Sequence, residues 1–289
     1  MDGLADLHLH STFSDGTCTP EEVVALAAEA GLAAAVLTDH DTMEGTPRFL
    51  AAARAAGIRS LSGMEISADV PRRTVHLLAY GCDPAEPRLA AAMRRVRDGR
   101  AERNERILGK LARLGCPITA EEVRAEAGGG VVGRPHIAAA LVRRGFAADG
   151  ADAFRRFLSR GAAAYAERFR LAPEEALELV AGAGGIVSLA HPSSTGYNPA
   201  ELRRFVERLA AHGLAGIECL YTGHLPNQVA EYVGLAREFG LLVTGGTDFH
   251  GGNKPGIRIG VAYGRLHVPV SAFDALEARC AAVRPNAGG

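Results

Sequence analysis

Short apolar segments that end in polar side chains recur along this chain, and each precedes or follows a stretch with helical periodicity. AAAVLT at 33–38 runs into Asp39, GGIVSLAHP reaches His191, and GLLVTGGTDFH reaches Asp248. Continuous apolar runs of this length are typical of strands that are buried on both faces. Strand followed by helix, repeated about seven times, predicts a parallel α/β barrel or open sheet. In barrel enzymes the carboxyl ends of the strands meet at one mouth, where we expect these polar groups to converge.

The first of these segments has polar residues at alternate positions. In DLHLHSTFSDGT, Asp6, His8 and His10 share one face of the predicted strand, while Leu7 and Leu9 share the other. Burial of the polar face would cost free energy unless that face meets groups that satisfy it. The pattern therefore indicates a site rather than a plain core strand.

Capping signals and periodicity define the other elements. Thr19 and Glu22 form a capping box, with Pro20 suited to the first helical turn and Gly31 to the exit. Further helices are predicted near 45–56, 173–182, 199–212 and 226–239. We also predict a strand near 58–64 leading into Glu65, a strand near 74–80 holding His76, and one from LAGIECLYTG toward Tyr221 and His224.

A helical insert interrupts the alternation between residues 85 and 170, so residues 1–84 and 171–289 are predicted to form the α/β unit. From Arg94 to Arg170 there are 17 Lys plus Arg and 9 Asp plus Glu, which gives +8 and leaves −9 for the rest of the chain. A basic insert and an acidic, histidine-rich mouth together predict an anionic substrate. For any single arginine, a solvated helix face is the alternative.

Composition narrows the class of protein. With 47% apolar and 22% charged residues the chain can form a packed core, and a net charge of −1 gives no reason to expect a nucleic-acid coat or membrane-surface protein. The start lacks the pattern of a signal peptide, and residues 179–200 are uncharged but too rich in Gly, Pro and Ser for a membrane span. Five scattered cysteines without a CxxC pair indicate a reducing compartment. We expect a cytoplasmic protein with no membrane contact, and no protein partner is evident.

Nine side chains gather at the predicted mouth, six of the ten histidines and three carboxylates. They are His8, His10, Asp15, His40, Glu65, His76, His191, Asp248 and His250. A single histidine near a strand is more often a satisfied core residue. Nine such groups at successive strand ends instead predict divalent metal ions, which bind neutral imidazole and carboxylate together.

The motifs around these residues resemble the PHP (polymerase and histidinol phosphatase) metal-dependent phosphoesterases, which are related to the amidohydrolase superfamily. The resemblance rests on HLHSTFSDG at the start, TDHD at 38–41, GMEIS at 63–67, VHLLAYG at 75–81, SLAHP at 188–192 and GTDFHG at 246–251. It implies a distorted (βα)7 TIM-like barrel with a helical insert and a three-metal site, and none of the family's nine ligand positions is missing.

Transferred to this chain, the family pattern implies three groups of metal ligands. They are His8, His10, Glu65 and Asp248; then Glu65 as a bridge with His76 and His191; then Asp15, His40 and His250. Asp6 matches no ligand position, and we expect it either to orient a liganding histidine through its other ring nitrogen or to lie in water. The resemblance favours manganese, while iron and zinc suit the same donors.

A charge count favours a phosphate ester as substrate. Three divalent ions and three carboxylates sum to +3, which a hydroxide and a phosphate monoester dianion would neutralise. We expect in-line attack by metal-bound hydroxide without a covalent enzyme intermediate. Glu65, His191 and Asp248 are the predicted catalytic residues, and His191, Asp248 or water would protonate the leaving group.

The insert carries the predicted substrate-binding residues. In VVGRPHIAAALVRRG, Arg134 and His136 lie where a helix begins, and a helix N-terminus beside an arginine can bind an anion. Arg100 and Arg103 share a face three residues apart and could hold a second phosphate, with a solvated stripe as the alternative.

RPHIA and AFRRFLSRGAAAY are similar to the insert of a PHP subgroup of 3′,5′-nucleoside bisphosphate phosphatases, whose relatives also trim short RNA 5′ ends. The resemblance implies removal of the 3′-phosphate from a small nucleotide, which leaves the nucleoside 5′-monophosphate. The alternatives are a 5′–3′ exonuclease acting on short RNA or other short oligonucleotides, a histidinol phosphate phosphatase, and a non-catalytic metal-binding module.

Overall fold

The computed structural model of the chain describes residues 3–71, 73–127 and 132–283. Their contacts divide them into two compact units. The first unit runs up to Ala91 and resumes at Leu171, and the second is Ala92–Arg170. Val131, the first residue of the VVGRPHI motif, lies outside the described residues.

Seven strands form two sheets in the first unit. They are β1 (Leu4–Leu9), β2 (Leu32–Leu37), β3 (Gly63–Val70), β4 (Arg73–Tyr80), β5 (Ile186–Leu189), β6 (Leu214–Tyr221) and β7 (Leu242–Gly246). β1 and β2 pair in parallel, and the remaining strands form a five-stranded sheet in the order β3-β4-β5-β6-β7. The strands of the described chain do not close into one hydrogen-bonded barrel.

Single bridges join the edges of the two sheets. Leu9 bridges Phe249 beyond β7, and His40 beyond β2 bridges Glu65 of β3. The amide of Asp248 donates to the His8 carbonyl at 2.9 Å. These bridges occur beside the polar residues that the sequence placed at strand ends, so the junctions between the sheets also position the site.

The expectation of uniformly parallel strands is wrong at β4. This strand pairs antiparallel with both β3 and β5. Only two residues separate Val70 from Arg73, which suffices for a hairpin but not for the crossover that parallel strands need. The predicted strand at 58–64 in fact begins at Gly63, so Glu65 lies inside β3 and not after it.

Ten α-helices are described. They are α1 (Pro20–Glu29), α2 (Thr46–Ala55), α3 (Pro87–Arg113), α4 (Ala120–Glu126), α5 (Arg134–Arg143), α6 (Gly150–Ala153), α7 (Pro173–Gly182), α8 (Pro199–Ala211), α9 (Pro226–Glu238) and α10 (Val270–Val283). The helix predicted after Thr19 is correct. The Thr19 hydroxyl accepts a hydrogen bond from the Glu22 amide, and Gly31 takes the left-handed conformation at φ +69°. Among the described helices, none is both long and apolar enough to cross a bilayer.

Both faces of β1 are buried. Leu7 packs among Leu78, Tyr80 and Phe273, whereas Leu9 belongs to a cluster around α1 and α2. His8 on the opposite face is also fully buried. The polar face therefore does not point to solvent, and other side chains of the fold must satisfy it.

The second unit contains only helices among its described residues. α5 packs against α4 and α6, and a π-helix follows α6 at Phe154–Leu158. Ile107, Leu111, Ile137 and Leu141 contribute to a separate apolar core. Asn104 helps to order this unit, because its side-chain amide donates to the Val132 carbonyl at 2.8 Å.

Candidate metal centre

The nine side chains singled out in the sequence converge in the first unit. Within each of three groups, one nitrogen or oxygen atom per residue lies within 4.8 Å of all the others. The groups are His8, His10, Glu65 and Asp248; His10, Asp15, His40 and His250; and His40, Glu65 and His76. His191 joins the third of these regions through Glu65 and His76.

Glu65 is central to the cluster and uses its two oxygens on different sides. Oε2 lies 3.2 Å from Nε2 of both His8 and His10. Oε1 lies 2.8 Å from Nδ1 of His76 and 3.0 Å from Nε2 of His191. A carboxylate placed in this way can bridge two cations.

Asp15 and His250 form the far side of the cluster. Asp15 Oδ1 lies 3.1 Å from His250 Nε2 and 3.7 Å from His10 Nδ1. Asp15 Oδ2 lies 3.7 Å from His40 Nε2. His10 therefore turns one ring nitrogen toward Glu65 and the other toward Asp15.

Asp248 presents its two oxygens to different partners. Oδ1 lies 3.3 Å from His10 Nε2 and 3.3 Å from His250 Nδ1. Oδ2 accepts hydrogen bonds from the Tyr221 hydroxyl at 3.0 Å and from the Lys254 ammonium at 2.5 Å. One oxygen thus faces the cluster while the other is held by neutralising donors.

Two residues of the cluster have backbone conformations that non-glycine residues rarely adopt. His191 has φ +24° and Asp248 has φ +55°. Such conformations cost of order 1–3 kcal/mol each and persist where the surrounding structure fixes them, which is common at functional sites.

The donor atoms fit divalent cations. Asp15 Oδ1 and His40 Nδ1 are buried, and although each lies 3.1 Å from a cluster atom, neither makes a hydrogen bond of good geometry among the described residues. Burial lowers the pKa of His40 to about 3, so its ring is neutral at pH 7 and retains a lone pair. Burial alone would raise the pKa of Glu65, but the surrounding imidazoles hold it well below its usual range. Neutral imidazole and ionised carboxylate are the forms that bind metal ions.

Hydrogen bonds fix the second ring nitrogen of several histidines. The pairs are His8 Nδ1 with Glu218 at 2.8 Å, His10 Nδ1 with Ser14 at 3.3 Å, His191 Nδ1 with Ser194 at 2.6 Å, and His250 Nδ1 with the Asp248 carbonyl at 2.8 Å. Outer partners of this kind set the orientation and tautomer of metal-binding imidazoles.

The role expected for Asp6 is wrong. Its carboxylate accepts from the Thr247 amide at 2.9 Å, the Thr247 hydroxyl at 2.6 Å and the Gly260 amide at 2.9 Å. Among the described contacts of Asp6, none is to a histidine ring. Asp6 is fully buried and anchors the loop before Asp248, so it is not a strand-end carboxylate in water either.

Sequence reasoning missed Glu218, which orients His8 in place of Asp6. The only signal in the sequence was a lone acidic residue inside the apolar strand LAGIECLY. Glu218 is fully buried in β6, and buried carboxylates need hydrogen-bond donors or cations. That rule predicts partners for Glu218 but does not say which residues supply them.

Asp39, which the sequence placed at the end of a strand, orders the loop that carries Asp15. Its carboxylate accepts from the Ser11 amide at 2.8 Å and from the hydroxyls of Ser11 and Ser14 at 2.6 Å each. These bonds fix the backbone between His10 and Asp15, two of the clustered residues.

In the second unit, arginines surround Arg103, whose side chain is 4% exposed. Burial and, in decreasing order, the positive charges of Arg168, Arg100, Arg134 and Arg170 together lower the pKa of Arg103 to about 8. The sequence indicated three of these five arginines, and Arg168 and Arg170 were missed. A cluster of like charges is expected to attract anions.

The predicted start of α5 is correct, and two of its residues also make local contacts. The Arg134 guanidinium donates to the Leu158 carbonyl at 3.2 Å. His136 Nδ1 accepts from the Gly133 amide at 3.0 Å, so this ring nitrogen caps its own helix.

Comparison with known proteins identifies the family. The model of the PHP domain matches residues 6–182. The chain belongs to the PHP domain family.

Curated relatives of this PHP protein include a 3′,5′-nucleoside bisphosphate phosphatase from Chromobacterium violaceum, 34% identical over 256 residues, covering 88% of this chain and 90% of the relative. A 5′-3′ exoribonuclease from Haemophilus influenzae is 33% identical, and the match covers 85% of this chain and 89% of that relative. Among solved structures, a proposed metal-dependent phosphoesterase from Bifidobacterium adolescentis has a TM-score of 0.84 at 32% identity. The match covers 95% of this chain and 96% of that structure.

Proposed function

We propose that this chain is a metal-dependent phosphatase that removes the 3′-phosphate of nucleoside 3′,5′-bisphosphates and leaves the nucleoside 5′-monophosphate. The observation that carries the proposal is the cluster around Glu65, in which six imidazoles and three carboxylates meet. The bisphosphate phosphatase from Chromobacterium violaceum supports this choice of substrate.

The proposed ligand sets follow the family pattern. One ion would take His8, His10, Glu65 and Asp248; a second Glu65, His76 and His191; and a third Asp15, His40 and His250. Manganese is the proposed metal, and iron or zinc would suit the same donors. We also infer that the two sheets, joined by the bridges beside Leu9 and His40, correspond to a distorted seven-stranded barrel.

When bound, divalent ions lower the pKa of water and offset negative charge on a phosphoryl group. The chain itself holds the reacting groups in place. Glu65 keeps both oxygens directed into the cluster, and Asp248 keeps only Oδ1 there. In-line displacement then requires a proton for the leaving oxygen of the ribose.

Of the two residues proposed as proton donors beside water, His191 is better suited than Asp248. Hydrogen bonds to Asp248 from Tyr221 and Lys254 stabilise its ionised form, which makes it a poor acid. The His191 ring is held at Nδ1 by Ser194, so Nε2 is the nitrogen directed into the cluster. A histidine delivers a proton at neutral pH only from a nitrogen that is not bound to a metal ion, so His191 would act as the acid after Nε2 has left the ion.

The arginines of the second unit are proposed to bind the second phosphate of the substrate. Five positive charges act on one another around buried Arg103, and a phosphate dianion would relieve that repulsion. Arg134 and His136 at the start of α5, with Arg100 and Arg103 on α3, remain the proposed contacts. A substrate with a single phosphate, such as histidinol phosphate, would offer this arginine cluster no second phosphate to bind.

A second candidate is stepwise 5′–3′ hydrolysis of short RNA. The exoribonuclease from Haemophilus influenzae, which is nearly as similar, favours it. The same cluster could act on a phosphodiester, since the leaving group is again a ribose oxygen and the phosphorus differs in carrying a second ester substituent and one negative charge fewer. A non-catalytic metal-binding module is opposed by the completeness of the nine-residue set.

The experiment is a phosphate-release assay on protein that has been stripped with a chelator and reloaded with manganese. Adenosine 3′,5′-bisphosphate, adenosine 5′-monophosphate, histidinol phosphate and a 5′-phosphorylated diadenosine would be compared by chromatography of the products. We expect the bisphosphate to yield adenosine 5′-monophosphate and the monophosphate to be inert.

Two variants accompany this assay, one that removes the proposed proton donor and one that serves as its control. His191→Asn should lower turnover by at least a factor of about 100, in the range of general acid–base catalysis. His212→Asn is the matched control, because the His212 ring bonds the Arg208 carbonyl at 2.8 Å at the end of α8 and does not belong to the cluster. Equal turnover of the dinucleotide and the bisphosphate would favour the nuclease, and no phosphate release from any ester would refute both readings.

A further inference from the structure

Glu218 connects two parts of the cluster without belonging to it. Its side chain is fully buried in β6. One oxygen lies 2.8 Å from His8 Nδ1, and the other accepts the backbone amide of His191 at 2.7 Å. His8 and His191 belong to different proposed metal subsites, and Glu65 is their shared neighbour.

We propose that Glu218 is a positioning residue that directs His8 Nε2 and the strained His191 toward the metal ions, so that its loss weakens metal binding before it affects folding. This inference rests on the proposed metal centre. It adds a role that the nine-residue pattern does not contain.

The hydrogen bond to Glu218 decides which nitrogen of His8 carries a proton. A carboxylate only accepts, so His8 Nδ1 must donate, and in the neutral ring that a metal ion requires Nε2 then keeps its lone pair. Nε2 is the atom that lies 3.2 Å from Glu65 Oε2 and 3.1 Å from His10 Nε2. With the proton on Nε2 instead, His8 would have no lone pair to offer on this side.

The second oxygen of Glu218 acts on the backbone. His191 has φ +24° and ψ +68°, outside the main allowed regions, and its amide is held by Glu218. Ser194 fixes the same ring at Nδ1. Without Glu218, the His191 backbone is free to relax, which would turn Nε2 away from Glu65.

The alternative is that Glu218 only stabilises the fold, as Asp6 does. Asp6 is equally buried, but its three contacts within 3.0 Å are amides and a hydroxyl of Thr247 and Gly260. Glu218 instead contacts a ring nitrogen of one clustered histidine and the backbone of another. The two roles therefore differ in what they predict for metal content.

Glu218→Gln is the sharpest variant because it preserves size. Both oxygens of Glu218 accept from donors, and an amide can accept on one side only. It must present its NH₂ group either to the His191 amide or to His8 Nδ1, which would then carry its proton on Nε2. We expect metal affinity to fall by about 10- to 100-fold, the usual effect of losing an outer-shell partner.

The matched control is Thr244→Val. Thr244 pairs with Glu218 across β6 and β7, and its hydroxyl bonds Ser188 at 2.8 Å. This variant loses one buried hydrogen bond on the neighbouring strand without touching the cluster. We expect it to lower the melting temperature but to keep wild-type metal content.

The measurements are manganese per chain after dialysis against a graded chelator, and the melting temperature with and without metal. The proposal is supported if Glu218→Gln loses bound metal while its metal-free melting temperature is no lower than that of Thr244→Val. Full metal content in Glu218→Gln overturns it. If the wild type itself binds no metal, the proposed function fails as well, so the two failures can be told apart.

A measurement on the wild type covers the case in which Glu218→Gln does not fold. In zinc-loaded protein, ¹⁵N NMR reports which nitrogen of His8 is protonated, with the signal assigned by its loss in His8→Asn. A protonated Nδ1 is required by the proposal. A protonated Nε2 would refute it whatever the variants do.

Discussion

Replacing Arg103 by methionine should stabilise the protein and reduce its response to anions. Arg103 is buried and lies among four other arginines, which together with burial bring its pKa from 12.5 to about 8. A guanidinium keeps its proton at pH 7, so the folded protein bears this unfavourable charge in full. Methionine is long and unbranched, and it can fill the same space without charge.

The magnitude follows from the pKa shift. Lowering the pKa from 12.5 to about 8 corresponds to a free-energy cost of about 6 kcal/mol, at about 1.36 kcal/mol per pKa unit. Local relaxation and the high effective dielectric of proteins reduce this to roughly half. Arg103 also donates from Nε and Nη2 to Asn104 Oδ1, and losing these bonds costs about 1 kcal/mol. We therefore expect Arg103→Met to raise the free energy of unfolding by about 2 kcal/mol at pH 7.

The pH dependence has a definite sign. Because the pKa of Arg103 is lower in the folded than in the unfolded chain, the folded chain binds fewer protons between about pH 8 and 12.5. The destabilisation is therefore fully present below about pH 8 and is lost as pH rises above it. The advantage of Arg103→Met should shrink on going from pH 7 to pH 10.

Urea unfolding in chloride and in sulfate at equal ionic strength measures the effect. Sulfate should stabilise the wild type more than Arg103→Met. The dianion relieves the repulsion between Arg103 and its neighbouring arginines, which the variant lacks. Arg94→Met is the control, since Arg94 is exposed on the same helix α3 and its loss should change stability by under about 0.5 kcal/mol. A variant that is less stable than the wild type in chloride, with an unchanged sulfate response, would refute the reasoning.

Three further predictions concern the site. Asp248→Asn should abolish turnover, because an amide cannot replace the ionised oxygen that faces His8 and His10; residual phosphate release above one-hundredth of wild type would count against it. Arg134→Ala should raise KM for the bisphosphate with little change in kcat, measured beside Arg143→Ala on the same helix; unchanged kinetics would remove Arg134 from the substrate site. Asp39→Asn should lower the free energy of unfolding by about 2–4 kcal/mol, because an amide cannot accept all three hydrogen bonds from Ser11 and Ser14. Urea unfolding that matches the wild type would contradict this.

The sequence predicted those features that depend on neighbouring residues. The capping box at Thr19 and the start of α5 at Arg134 follow from local hydrogen bonds and dihedral preferences, and the structure has both. The meeting of His8 with distant Glu65 was also expected, although Glu65 lies inside β3, which pairs antiparallel with β4. Periodicity and the polar residues in or next to the predicted strands thus named the residues of the cluster.

Strand direction and the partners of buried polar groups were decided only by the tertiary structure. An apolar run does not reveal its orientation, so the reversal of β4 after the two-residue loop was not predicted. Glu218 lies 210 residues from His8 in the chain, and neither position constrains the other locally. Asp6 and Glu218 are both buried carboxylates, yet one binds a loop and the other a histidine ring. Burial dictates that such groups find donors, whereas only the packed fold determines which donors are within reach.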